Sequence, residues 1–157
     1  MLSRGMRTRR AILGPVMLAL AVGTLLGGGS AQADPGADVP SADQLTAQLS
    51  VIFDVNADGV QRASYLEAGE AALSVANTVG GPIAQHRSMV SMYVDDPVRN
   101  GDRLNSDLVM SVMGIGAQRR PLAWIQQGST WKLSTDSLCA IYTETSKTSN
   151  CPLQPVK

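Results

Sequence analysis

The chain has 157 residues, 13 basic and 13 acidic side chains, one histidine, two cysteines and 4% aromatic residues. Beyond the first ten residues it has no basic cluster except Arg119-Arg120, and so lacks the concentrated cationic footprint that nucleic-acid binding needs. Docking on anionic membrane surfaces is disfavoured for the same reason.

Residues 1–33 read as a secretory signal peptide. Arg4, Arg7, Arg9 and Arg10 precede an apolar run of 16 residues, Ala11 to Leu26, and Ser30-Ala31-Gln32-Ala33 ends in a small-x-small pattern. The run is short for a bilayer span and carries Gly14, Pro15 and Gly23. Thr8-Arg9-Arg10-Ala11-Ile12-Leu13 also fits a twin-arginine signal, although the general secretory route is favoured. The expected location is therefore secreted or cell-envelope, with no stable membrane anchoring after cleavage. Cleavage after Ala33 leaves 124 residues with 9 basic and 13 acidic side chains, formally −4. That length closes one core.

Residues 34–40, Pro- and Gly-containing, read as a linker. Ser41 and Gln44 then have the spacing of a capping box. Leu45, Leu49 and Ile52 follow at i, i+4 and i+7, one apolar stripe of a helix. Asp54 to Gly59 stops it, and Arg62 to Glu67 predicts a short helical turn ending near Gly69. The Ala-rich stretch beyond predicts a helix over 70–79. Gly80-Gly81-Pro82 is expected to break or kink it, with a second helical piece over 83–91.

Residues 94–103 contain one Pro and one Asn-Gly, and read as a strand end and a turn. Leu104 to Met113 alternates as a strand should. Leu104, Ser106, Leu108, Met110 and Val112 share one face, and Asn105, Asp107, Val109 and Ser111 the other. Gly114 to Ala117 suggests a bulge or loop. Segments 119–127 and 130–135 predict a hairpin around Gly128-Ser129 in a II′ turn. A two-residue loop sets Trp124 opposite Leu133 and Gln126 opposite Trp131, so both tryptophans share a face. Ser134 can cap a last short helix carrying Leu138, Cys139, Ile141 and Tyr142.

In an exported chain the pair Cys139 and Cys151 reads as a disulfide. It ties back a polar tail over residues 143–157. Helices followed by a run of antiparallel strands indicate an α+β class, one domain over residues 41–142.

Several segments carry a resemblance. Asp38-Val39-Pro40-Ser41-Ala42-Asp43-Gln44-Leu45-Thr46, Ser64-Tyr65-Leu66-Glu67-Ala68-Gly69, Ile83-Ala84-Gln85-His86 and Gln127-Gly128-Ser129-Thr130-Trp131-Lys132-Leu133-Ser134 occur in an order that resembles the mycobacterial low-molecular-weight secreted antigens. The ending is similar to the last strand of cone-shaped, cystatin-like folds related to nuclear transport factor two. The resemblance implies N-terminal helices packed on a curved antiparallel sheet, in an exported antigen-type domain whose biochemical activity the family does not define. The cysteine pair and the Asp54 to Gly59 sequence depart from the family pattern.

Three chemistries compete. Asp54, Asn56, Asp58 and Gly59 match the first half of a calcium loop, but position 12 is Tyr65 rather than glutamate and no partner loop exists. Asp, Asn and Gly also end one helix and start another, so no metal or other cofactor is expected. A calcium-stabilised domain remains the further alternative. For an acid/base pocket of the cone-shaped fold, the alternative from a different class, His86 would need Asp95, Asp96 or Asp107 beside it, and nothing in the sequence converges on a catalytic set. The favoured reading is a non-enzymatic binding or interaction domain for an unknown small ligand or protein partner. Tyr65, Met110, Trp124 and Trp131 are the candidates to line its cavity; the competing role for Trp and Met is core filling.

Overall fold

The computed structural model describes residues 39–153, all within one compact unit. The expected signal peptide, residues 1–33, and most of the 34–40 linker lie outside the described residues. Helix α1 (Ala42–Phe53) starts at the capping box. Ser41 Oγ accepts from the Gln44 backbone N–H at 3.2 Å, and Gln44 Oε1 accepts from the Ser41 N–H at 2.8 Å. Two of the orphan donors of the first turn are satisfied in this way. The stripe of Leu45, Leu49, Ile52 and Phe53 is buried.

The next helix is α2 (Gly59–Ser64), not the expected turn over 62–67. Its start is fixed by Asp58, whose carboxylate accepts from the Gln61 N–H at 2.9 Å. A cap acts on the first turn after it, so the helix begins as early as Asp58 allows. Tyr65 to Glu67 then turns off the helix, and Leu66 alone meets the sheet. Leu133 N–H donates to Tyr65 O and Glu67 N–H to Leu133 O, a parallel bridge.

A 3-10 turn (Gly69–Ala72) leads into α3 (Leu73–Gln85). The expected break at Gly80-Gly81-Pro82 does not occur, and neither does a helical piece over 83–91, since the chain is in strand from Val90. The reason is tertiary. Val75, Ala76, Val79 and Gly80 form one buried face. Gly80 is pressed against α1 so closely that a Cβ there would sit 2.2 Å from Phe53 O. Pro82 and Thr78, whose carbonyl Pro82 cannot bond, are both exposed, on the side of α3 where solvent can supply a missing donor.

The sheet is four antiparallel strands in the order β1-β2-β3-β4, curled into a half-barrel: β1 (Val90–Asn100), β2 (Arg103–Val112), β3 (Gly116–Gln127) and β4 (Thr130–Leu133). Residues 94–100, expected to be a strand end and turn, stay in β1. The register steps by one residue between Asp95 and Val98, a bulge with Asp96 at φ 51°. The bulge takes up Pro97, which has no N–H for the ladder. Val94 N–H on the free edge donates to Thr46 Oγ1 of α1 at 2.8 Å, so the helix covers part of that edge.

The β3–β4 hairpin has the expected register, Trp124 opposite Leu133 and Gln126 opposite Trp131. Of its two loop residues only Gly128 has positive φ, as a II′ turn requires. Helix α4 (Thr135–Ser146) starts at the Ser134 cap and is longer than expected. It covers part of what reads in sequence as tail and ends at Lys147, which has φ 53°. The Cys139–Cys151 disulfide joins α4 to the segment beyond it, and Cys151 and Leu153 pack on the core. Helices followed by a curled antiparallel sheet make the chain α+β.

Candidate functional site

The inner face of β2 runs Leu104, Ser106, Leu108, Met110, Val112. Its first three side chains are buried and its last two are half-buried. The change comes where the sheet runs out from under the helices and leaves a cavity of about 350 Å³. Its floor is Met110 and Val112 of β2 with Val90 of β1. One wall is the end of α3, with Val79, Pro82, Ile83 and His86, and the other is Thr145 of α4; Met89 stands at the mouth. The volume lies within the usual small-ligand range. Val79 and Ile83 are i and i+4 on α3, so the unbroken helix is what brings them to one wall. His86 and Thr145 are the only side chains of this lining with hydrogen-bonding atoms. Such a wall holds an apolar body and offers a polar contact only at its edge.

A second cavity of about 320 Å³ adjoins it, and Ile83 and Val90 line both. Beyond that shared pair it is bordered by Ser50, Phe53 and Asp54 of α1 and the following turn, Ala84, Arg87 and Met92. Arg87 stands 4.0 Å from Asp54 Oδ1, and its side chain is 72% exposed.

The four residues expected to line a cavity do not meet. Met110 is in the apolar pocket. Trp124 is fully buried in the core, its Nε1–H donating to Ser106 Oγ at 2.9 Å. Trp131 is 4% exposed, beneath the Arg99 guanidinium, which lies 5.5 Å from the ring centroid. Trp131 and the half-buried Tyr65 border a separate groove between α1 and the β3–β4 turn. There Gln48 Nε2 donates to Trp131 O at 2.6 Å.

The Asp54 to Gly59 loop uses its side chains on the backbone. Asp54 ends α1, and its Oδ1 accepts from the Asn56 N–H at 3.0 Å. Asp58 caps α2. Arg62 reaches back from α2, buried, to donate from Nε to Ile52 O at 3.0 Å, placing a cation where α1 leaves carbonyls unpaired. Among the described residues no three His, Cys, Asp or Glu side chains come together in a group that could hold a metal ion.

The carboxylates considered as partners for His86 lie elsewhere. Asp95 and Asp107 face each other across β1 and β2, a like-charge pair that Arg119 bridges at 2.9 and 3.4 Å. Hydrogen bonding to Asp95 holds the Arg119 pKa above its ordinary value. Asp96 and Asp107 border a separate open cavity of about 490 Å³, whose lining mixes Asp136 and Ser137 with Val98, Leu122 and Ala140.

The pocket's helical wall was hidden in the sequence by Gly80-Gly81-Pro82. The β2 alternation does foreshadow its floor, since it puts Met110 and Val112 on one face. Arg87 has no signal of its own; its place follows from the turn after α3.

No curated protein and no solved structure matches the chain. The family model of the low molecular weight antigen MTB12, C-terminal domain, matches residues 38–149. The match takes in every helix and strand described and ends before Cys151, so the disulfide closes outside it. By this match, over more than half its length, the chain belongs to the family of the low molecular weight antigen MTB12 C-terminal domain.

Proposed function

We propose that this antigen-family domain is exported and acts as a non-enzymatic binding domain, taking an apolar ligand into the pocket between α3, α4 and the sheet. The single observation carrying this reading is the pocket's lining: seven of its nine residues have no hydrogen-bonding side chain. A wall of that kind favours an apolar guest through water release, at about 0.8 kcal/mol for each buried methylene. The absence of a carboxylate from the same lining leaves His86 without an acid-base partner there, which favours binding over catalysis. Export rests on the N-terminal sequence pattern and on the family's antigen character. Among the described residues no helix is long and apolar enough to cross a membrane. The general secretory route is favoured over the twin-arginine route.

The test is displacement of the neutral fluorophore N-phenyl-1-naphthylamine from the purified mature domain. Val112→Phe projects a ring into the pocket from a strand position whose direction the pleat fixes, and it is expected to abolish binding while the domain stays folded. Undiminished binding to Val112→Phe, or no binding to the parent protein, refutes the proposal.

A further inference from the structure

Resting on that reading of the pocket, we infer that the ligand is a single-chain amphiphile with an anionic head, a free fatty carboxylate of medium length. The apolar pocket and the second cavity both have Ile83 and Val90 in their linings, which sets them side by side; in the proposed complex the chain lies in the first and the head passes that pair toward the second. The two ends differ in chemistry. The first offers Val79, Met110 and Val112 to a chain, and its 350 Å³ lies at the small end of the ligand-pocket range, which suits a guest of modest length. The second carries Arg87, in the turn just after the helical wall that begins with Val79.

Arg87 is only loosely engaged. Its contact with Asp54 is 4.0 Å long, and Asp54 Oδ1 already accepts the Asn56 N–H. A guanidinium has five donors in a planar fork that fits a carboxylate, so a ligand head can be met without breaking the contact with Asp54. His86, one residue before, adds a ring N–H at the boundary of the apolar pocket. Asp54 opposes an anionic head, and this limits the gain from Arg87 to that of a partly exposed ion pair, about three- to fivefold in affinity.

The experiment measures, by displacement of the same neutral fluorophore, the affinities of decanoate, decan-1-ol and decyltrimethylammonium for the mature domain and for Arg87→Gln and Arg87→Lys. Decanoate is expected to bind more tightly than the cation. Arg87→Gln should weaken decanoate about three- to fivefold and leave decan-1-ol unchanged; Arg87→Lys should restore most of the loss. Raising the salt concentration should act on decanoate in the same direction as Arg87→Gln. If decanoate and decan-1-ol respond alike to Arg87→Gln, or if the cation binds best, the head-group inference is overturned while the apolar pocket stands. If the probe binds but none of the three displaces it, the amphiphile inference is overturned; if the probe itself does not bind, the pocket reading falls with it.

Discussion

Gly80 and Gly81 are neighbours in one helix, yet they should respond to the same substitution with opposite sign. Alanine is favoured over glycine in a helix interior by about 1 kcal/mol, so propensity alone predicts that both Gly80→Ala and Gly81→Ala stabilise. At Gly81 nothing lies within 4 Å of the new Cβ, and the gain should appear nearly whole. At Gly80 the Cβ would meet Phe53 O at 2.2 Å and Val55 Cγ1 at 3.2 Å. The first is a backbone atom, which no rotamer change moves, so α1 and α3 must separate by about 1 Å to reach ordinary contact. Overpacking of a fixed core costs about 1–3 kcal/mol, and a clash with backbone belongs at the top of that range. Net of the propensity gain, Gly80→Ala should lose about 2 kcal/mol. For a domain of this size that is a fall of roughly 8 °C in Tm. Urea unfolding of the two variants against the parent measures both values. A Gly80→Ala protein as stable as the parent, or more so, would refute the close helix crossing and with it the explanation of why α3 runs through Gly80-Gly81-Pro82 unbroken.

Reduction of the Cys139–Cys151 bond, or Cys151→Ser, should cost up to about 3 kcal/mol by the loop-closure argument, read as a lower denaturation midpoint. Glu67 accepts the Thr135 N–H at 2.7 Å, at the start of α4. Glu67→Ala should therefore cost about 1.5–3 kcal/mol, with loss of helical circular dichroism ahead of the main unfolding transition as the sign of a loosened α4. Asp58→Ala should cost about 1 kcal/mol as a lost helix cap, by the same amount in calcium and in chelator; a loss confined to calcium would restore the metal reading of the loop. For Arg119 the sign is that of a raised base. Its contribution is complete below the ordinary guanidinium range and lost only as pH rises through the higher folded value. Arg119→Gln should therefore leave the shape of the stability profile between pH 5 and 9 unchanged, and a new inflection there would refute the assignment.

Where a residue acts on its own neighbours, the sequence was a sufficient guide. The Ser41 and Gln44 capping box is an interaction over three residues, and it forms as its spacing indicates. The alternation of β2 and the two-residue turn at Gly128-Ser129 fixed the register that sets Trp124 against Leu133. The cysteine pair closes over twelve positions. The start of α2 is the local exception, since Asp58 reads in sequence only as part of a loop and acts as a cap; the other errors fall where a distant partner overrides a local preference. Pro82 should stop a helix, but α1 on one side and solvent on the other let it continue. The polar stretch through Pro97 should be a turn, but β2 holds it in a strand by way of a bulge. Thr143 to Ser146 reads as tail, yet α4 is held at its start by Ser134, Ser137 and Glu67 and bound to the segment beyond it by the disulfide, and runs through them.

The candidate site shows the same division. Composition and periodicity placed Met110 on an inward face and identified the tryptophans as large apolar bodies, because alternation and side-chain chemistry are local properties. That Trp124 and Trp131 are core while Met110 borders an open pocket depends on how far the sheet extends past the helices. That Val79, Ile83 and His86 face Met110 depends on α3 crossing α1 at Gly80. The sequence by itself determined the class, the caps, the hairpin register and the disulfide, each set by interactions within about a dozen residues. Only the tertiary structure decided where space remains, because a cavity is defined by elements far apart in the chain that fail to touch.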